Sequence, residues 1–155
     1  MDSPAAGRDP GATWAAFAAA APELATQVRE RFAANLHHVI GTVRRDGAPR
    51  LSGTEVQIDE QAVVLGMMGG SRKLADVRRD PRVEIHSAPV EDDLAHGDAK
   101  LAGRLVEQER DLPEHPGAGF FELLLDLVAV VRVDGDELLF TTWRPGHAVR
   151  ETRRR

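Results

Sequence analysis

Residues 69–82 read Gly-Gly-Ser-Arg-Lys-Leu-Ala-Asp-Val-Arg-Arg-Asp-Pro-Arg and follow a short apolar run, Ala62 to Met68. A run of that length and composition is typical of a buried strand. The two glycines allow backbone angles that other residues resist, and Ser71 is a residue type that caps helices. Leu74 and Val77 then share one helical face until Pro81 ends the helix. The stretch therefore predicts a strand, a glycine turn and a short helix.

The start of this helix is suited to an anion. The first N–H groups of a helix are unpaired and carry a partial positive charge, and Arg72 and Lys73 add two full charges there. A phosphate is the expected ligand. The order is not that of a P-loop, in which Lys directly follows Gly and Ser or Thr directly follows Lys. Nucleoside triphosphate hydrolysis is therefore not supported, and the alternative is an exposed first turn with two ordinary surface cations.

Composition limits the class of protein. The chain has 155 residues, of which 42% are hydrophobic, and this predicts one folded domain. It has no cysteine, which excludes disulfides, thiolate metal sites and cysteine nucleophiles. A net charge of −5 argues against a nucleic-acid partner. The chain shows neither an apolar run long enough to span a membrane nor a signal-peptide pattern, so we expect a cytoplasmic protein with no membrane partner.

Three segments are predicted along the chain. Residues 1–12 are rich in Pro and Gly and are expected to be a disordered leader, residues 13–147 a single domain, and residues 148–155 a basic tail that frays. Within the domain, one helix is expected after the cap residue Thr13 and a second from Pro22, with apolar residues at four-residue spacing. These two short helices are expected to pack against a sheet.

The remainder predicts strands separated by turns. Asp46-Gly47 and Asp134-Gly135 are hairpin signals. The strand after the first hairpin is predicted to run from Arg50 to Ile58, and Gly103 marks a bulge or bend in a later strand. Residues 120–133 begin with a run that fits a helix or a strand, but β-branched residues follow directly and favour a strand. Short strands joined by hairpins, with few helices, predict an antiparallel barrel.

Taken in order, these segments resemble the pyridoxamine 5′-phosphate oxidase-like, FMN-binding split β-barrel family. The matching segments span most of the chain and are Val39 to Ser52, Ser71-Arg72-Lys73 with Arg78 to Arg82, Gly97 to Gly103, and Trp143 to Gly146. The resemblance implies a mainly β (α+β) fold, a roughly six- to seven-stranded antiparallel split β-barrel with short flanking helices. It also implies a homodimer that holds two flavins at the subunit interface.

The resemblance assigns candidate cofactor residues. In that family the Ser-Arg-Lys motif binds the cofactor phosphate, which gives this role to Ser71, Arg72 and Lys73. The remaining candidates are expected beside the ring system or its polar edge, with Trp143 as an interface or ring contact: Arg50, Ser52, Thr54, Gly66, Met67 and Trp143.

The implied function is a flavin-dependent oxidoreductase that uses FMN to transfer hydride to or from a small organic substrate. Such chemistry needs no protein nucleophile, because the cofactor ring accepts the electrons. The chain stops soon after Trp143 and lacks the C-terminal Arg- and His-rich segment of true pyridoxamine 5′-phosphate oxidases, so vitamin B6 oxidation is not expected.

Two alternatives stay open. One is a reductase that uses 8-hydroxy-5-deazaflavin (coenzyme F-420), whose acidic tail would favour extra cations such as Arg78, Arg79 or the terminal Arg cluster. The other is a non-catalytic flavin- or haem-binding protein on the same barrel.

A metal site is not predicted. The six histidines lack the i, i+4 pairing of a helical zinc motif, and only His86 and His147 are kept as candidate pocket residues. Glu91-Asp92-Asp93 lacks the ligand pattern of a calcium loop and is expected to be a solvated loop.

Overall fold

Most strands of this chain alternate buried and more exposed residues, and its helices each bury one apolar face. The computed structural model describes residues 11–89 and 95–155. In chain order the elements are α1 (Trp14–Ala20), α2 (Pro22–Ala33), β1 (His37–Val43), β2 (Pro49–Glu55), β3 (Gln57–Ile58), β4 (Val63–Met67), α3 (Arg72–Arg79), β5 (Arg82–His86), β6 (Asp98–Gln108), β7 (Gly119–Asp134), β8 (Glu137–Trp143) and β9 (Arg150–Arg154).

The strands form one antiparallel sheet that curls into an open barrel. The pairing order is β2-β1-β5-β6-β7-β4-β3, with β8 beside β7 and β9 beside β8. The 16 residues of β7 are enough to pair with β4 near its start and with β8 near its end. The predicted antiparallel split barrel is confirmed, although its sheet has nine strands within the described residues rather than six or seven.

The core lies between the inner face of the sheet and the first two helices. Ile40, Leu101 and Leu123 are fully buried from the sheet side, and Trp14 and Phe17 are fully buried from α1. The predicted apolar face of α2 is buried through Leu24, Val28 and Phe32. The expectation that both helices pack against the sheet is therefore correct.

Local signals in the sequence correspond to the observed boundaries. Thr13 and Ser71 accept hydrogen bonds from the backbone N–H groups of Ala16 and Leu74, so each caps a helix as predicted. Both predicted hairpins form, between β1 and β2 and between β7 and β8. The predicted bulge lies at the register shift between Ala102 and Gly103.

The strand predicted from Arg50 to Ile58 is instead two strands. β2 pairs with β1, whereas β3 pairs with β4 at the other end of the open sheet. Val56 lies between them and packs against the core. The chain leaves one edge of the barrel and joins the other there, so a single uninterrupted strand does not form.

Both predicted terminal segments are more ordered than expected where the structure describes them. Ala12, assigned to the leader, exchanges two backbone hydrogen bonds with Leu125, at 2.9 and 2.7 Å. The expectation of a frayed basic tail is wrong, because Arg150–Arg154 forms β9. Backbone pairing needs no apolar side chains, and a charged edge strand is protected from pairing with other chains.

No helix within residues 11–89 and 95–155 has the length and apolar character needed to cross a membrane.

Candidate functional site

A groove of about 830 Å³ lies beside the free edge of β2. Its walls come from β2, β4, the first turn of α3 and the segment that connects β6 to β7. Four of the predicted site residues line it: Thr54, Gly66, Met67 and Lys73. The groove is the candidate functional site.

Lys73 places a cation in this groove. Its Nζ donates a hydrogen bond of 2.7 Å to the backbone carbonyl of Gly53 on β2. Burial lowers the pKa of Lys73 below its ordinary value of 10.5, since removing the ammonium from water disfavours its charged form. In the described parts of the chain no carboxylate lies within 4.0 Å of this nitrogen. An anion in the groove would therefore stabilise a charge that the described residues do not neutralise.

The turn before α3 fixes the position of Lys73. Gly70 has a φ of 76°, in the left-handed region that other residues rarely adopt. Leu74 and Val77 are buried on the inner face of the helix, as predicted. Lys73 is partly buried and lines the groove, whereas Arg72 is exposed. Ser71 is partly buried, and its Oγ accepts the 3.4 Å bond from the N–H of Leu74. Lys73 is therefore the member of the Ser-Arg-Lys motif that lines the groove.

An apolar wall faces this cation. Gly66 on β4 pairs with Phe120 on β7, and a Cβ at Gly66 would lie 3.3 Å from the Phe120 ring. The absence of a side chain at Gly66 leaves the ring as part of the wall. Met67 also lines the groove, but its side chain is only 2% exposed and packs in the core on the other face of β4. A cation beside an apolar surface suits a ligand that joins an anionic group to a flat ring.

No protein-family model and no curated protein sequence matches the chain. Its structure is similar to that of a heme binding protein from Mycobacterium smegmatis, with a TM-score of 0.66 and 20% identity over 79% of this chain and 58% of that one. It is also similar to a pyridoxamine 5′-phosphate oxidase-related, FMN binding protein from Nostoc punctiforme, with a TM-score of 0.63 and 10% identity over 87% and 96% of the two chains. PhzG from Burkholderia lata, in complex with tetrahydrophenazine-1-carboxylic acid, has a TM-score of 0.61 and 15% identity over 92% and 88%.

The chain has the split-barrel fold of these proteins. At such identities the similarity concerns the fold, so each site residue must be judged from its own surroundings.

Arg50 of this split barrel is bonded beneath α3 and is not among the residues that line the groove. Its Nε donates a 2.7 Å hydrogen bond to Asp76, which also accepts from Thr42 at 2.7 Å and from Arg79 at 3.2 Å. Burial raises the pKa of the Asp76 carboxyl, but the bonds from Arg50, Thr42 and Arg79 outweigh burial and keep it below its ordinary value. This network joins α3 to β1 and β2.

Ser52 and Trp143 also lie apart from the groove lining. Ser52 is partly buried on β2. Trp143 is only 4% exposed and packs in the core of the split barrel, with its ring centroid 4.9 Å from that of Phe17. The expected ring or interface contact of Trp143 is thus replaced by a core contact.

The histidines that line the groove are not the ones chosen from the sequence. His37 and His115 line it, whereas His86 and His147 do not. The described residues contain no cluster of three or more possible metal ligands. The segment Glu91-Asp92-Asp93 lies outside the described residues.

Most of the arginines expected to bind the acidic tail of a deazaflavin have carboxylate partners within the protein. Arg78 makes a 2.7 Å ion pair with Glu107, and Arg79 bonds Asp76. Arg153 pairs with Asp134 at 2.8 Å on the β8 side of the sheet. Sequence reasoning missed a different cation, Arg110, which lines the groove beside Phe120. It lies in an irregular connection and belongs to no motif, so no signal in the sequence marked it.

Proposed function

We propose that this split barrel binds FMN in the groove and acts as a flavin-dependent oxidoreductase on a small organic molecule. The observation that carries the proposal is the partly buried Lys73 ammonium, which is held by a backbone carbonyl and lies within 4.0 Å of no carboxylate in the described parts of the chain. A cation that is partly desolvated and not neutralised favours a bound anion, and a phosphate is the strongest common one.

The residues present fit the two ends of this cofactor. Lys73, at the start of α3, would hold the phosphate with charge-assisted hydrogen bonds. The wall of Gly66 and Phe120 offers an apolar surface of the kind that a flat ring system covers. The backbone of Gly53 adds polar groups along the same groove, whereas the Thr54 side chain is buried and its hydroxyl donates to the carbonyl of Glu55.

When bound, FMN supplies a ring that accepts and returns a hydride. The part of the chain is to bind and orient the reacting molecules and to keep water from the apolar wall. Lys73 fixes one end of the ligand, and Gly66 allows close approach to the Phe120 ring. This division of roles requires no nucleophile from the protein, in accord with the absence of cysteine.

The proposal includes a homodimer. The outward face of β1 and β2 carries Val39 and Leu51, which are 37% and 76% exposed. His37 and Gly53 lie on the same outward side of these strands and line the groove. A second copy of the chain over this face would bury the apolar residues and cover one side of the groove.

Two other cofactors stay as alternatives for the same groove. The 8-hydroxy-5-deazaflavin also carries a phosphate that Lys73 would hold, and its use would make the protein a deazaflavin-dependent reductase. Haem is favoured by a separate observation, since the imidazoles of His37 and His115 line the groove and imidazole is an iron ligand. In that case the protein would bind haem without the proposed hydride transfer.

The visible spectrum of the purified protein separates these cases. We expect flavin bands, or their appearance when colourless protein is titrated with FMN. A deazaflavin band would show that the cofactor is 8-hydroxy-5-deazaflavin and not FMN, and a Soret band would support haem. Protein that stays colourless and binds neither flavin would contradict the proposal.

A further inference from the structure

The connection between β6 and β7 forms one wall of the groove. Arg110, Glu114, His115 and Pro116 belong to this connection and line the groove. Backbone hydrogen bonds from His115 to Leu112 and from Ala118 to His115 give it two turns. It also packs against the turn before α3, because a Cβ at Gly69 would lie only 2.7 Å from the carbonyl oxygen of Pro116. The connection is therefore held against the element that carries Lys73.

Arg110 is positioned in this wall by an aromatic ring. Its guanidinium carbon lies 5.4 Å from the centroid of the Phe120 ring. Phe120 is partly buried and pairs with Gly66 across β4 and β7. An arginine stacked on a ring keeps its N–H groups free to point away from the ring edge. The contact thus orients the guanidinium without occupying its donors.

The bonding of Arg110 differs from that of the arginines around α3. Arg50 and Arg79 bond Asp76, and Arg78 bonds Glu107. Within residues 11–89 and 95–155, by contrast, no carboxylate lies within 4.0 Å of the Arg110 guanidinium. Lys73 contacts the β2 side of the groove and Arg110 the β7 side. The groove therefore has cations on two walls, and the partly buried ring of Phe120 supplies apolar surface between them.

We infer that Arg110 is a specificity residue that binds a carboxylate on a flat, largely apolar molecule in the groove. A planar guanidinium matches a carboxylate through two parallel hydrogen bonds, which a neutral amide of the same shape does not reproduce. The apolar wall accounts for the flat part of the ligand. The inference deepens the proposed function and rests on it, because it assumes that the groove holds the reacting molecules.

Binding of a matched pair of probes tests the inference. The probes are 2-naphthoate and 2-naphthamide, which share a ring system and differ in charge. Their dissociation constants are measured by calorimetry for the wild-type chain, with and without FMN. We expect the wild-type chain to prefer the carboxylate by about tenfold. Arg110→Gln should abolish that preference, and Arg110→Lys should restore part of it because it keeps the charge but loses the planar fork.

Arg154→Gln is the matched control. Arg154 also lies over a phenylalanine ring, 5.0 Å from the centroid of Phe140, but it does not line the groove. This variant should keep the wild-type preference. A preference that survives in Arg110→Gln, or a wild-type chain that does not distinguish the probes, would overturn the inference.

Two further titrations identify the source of the carboxylate and separate the two proposals. If Arg110→Gln weakens binding of 8-hydroxy-5-deazaflavin with its acidic tail but not of FMN, the carboxylate belongs to the cofactor. If Arg110→Gln weakens binding of 2-naphthoate but not of 8-hydroxy-5-deazaflavin, the carboxylate belongs to the substrate. A wild-type chain that does not bind FMN would contradict the proposed function but not the inference about Arg110, because the naphthoate preference is also measured in cofactor-free protein.

Discussion

Asp76 joins three elements through one buried carboxylate. It is 3% exposed and accepts hydrogen bonds from Thr42, Arg50 and Arg79. Asp76→Asn keeps the shape of the side chain but leaves the Arg50 cation without its partner. We predict a loss of about 3 kcal/mol in the free energy of unfolding, measured in urea, because breaking a buried pair from one side leaves an uncompensated charge.

Asp80→Asn is the comparison for that variant. Asp80 pairs with Arg82, whose side chain is 62% exposed, so water replaces much of the lost interaction. Its effect on stability should be far smaller. Equal losses in the two variants would show that the Asp76 network contributes no more than a surface pair.

His38 should make stability depend on pH. Its Nδ1 accepts from the N–H of Ala88, so the hydrogen lies on Nε2, which donates to the carbonyl of Phe32. Burial lowers the pKa of His38 below its ordinary value of 6.5, against the opposing effect of its backbone hydrogen bonds. The unfolded chain therefore binds the proton more readily, and stability falls as pH drops below 6.5.

Urea unfolding between pH 8 and pH 5 measures this effect. The slope from one such group is at most about 1.4 kcal/mol per pH unit. His38→Gln should be less stable at pH 8 and show a shallower fall towards pH 5. His147→Gln, at an exposed turn, should keep the wild-type profile. A His38→Gln profile parallel to that of the wild type would contradict the assignment.

Single residues were predictable where their role depends on local sequence. Lys73 follows from the Ser-Arg-Lys motif at a helix start, whereas Gly66 and Met67 follow from the family resemblance, and all three line the groove. Arg50 was misplaced because its partner Asp76 is 26 residues away, and no spacing rule shows that the two side chains meet. The same limit applies to Arg110, whose position depends on the ring of Phe120 from the next strand.

At the scale of elements, β9 is the strand whose importance is easiest to measure. It pairs with β8 from Leu138 to Thr142, and Arg153 bonds Asp134 on the neighbouring hairpin. Removing residues 148–155 should lower the Tm by at least about 4 °C, because several cross-strand pairs are lost. FMN affinity should not change, since β9 does not line the groove.

Removing Arg155 alone controls for the loss of a terminal charge. This residue lies beyond β9 and makes an exposed ion pair with Glu137 at 3.3 Å, so its removal should leave the Tm nearly unchanged. A chain without residues 148–155 that melts at the wild-type temperature would show that β9 adds nothing to stability.

Elements were predicted well where hairpins and caps define them. Asp46-Gly47 and Asp134-Gly135 each join neighbouring strands, so the signal and the contact are close in sequence. The division of the segment after Arg50 was missed because its first part, β2, pairs with β1 and its second part, β3, pairs with β4, and these partners lie far apart in sequence. β9 was missed because its side chains are charged, whereas its pairing is a property of the backbone.

At the scale of the whole molecule, the proposed dimer makes Leu51 an interface residue. Leu51 is 76% exposed beside Gly41 on the outward face of β1 and β2. We predict that Leu51→Glu shifts the dimer to monomer in sedimentation velocity, because it would bury a charge between the copies. Leu138→Glu, on the separate edge near β9, should remain dimeric. A monomeric wild-type chain would contradict the proposed assembly.

In the proposed function Lys73 holds the phosphate of a flavin, and a comparison of FMN with riboflavin, which lacks the phosphate, tests this role directly. By fluorescence titration, the wild-type chain should bind FMN more than about tenfold tighter than riboflavin, from a charge-assisted contact worth roughly 1.5–3 kcal/mol. Lys73→Met should remove most of this difference, whereas Lys100→Met, at the other lysine of the chain, should keep it. Equal affinity of the wild-type chain for the two flavins, or a preference for FMN that persists in Lys73→Met, would show that Lys73 does not bind the phosphate.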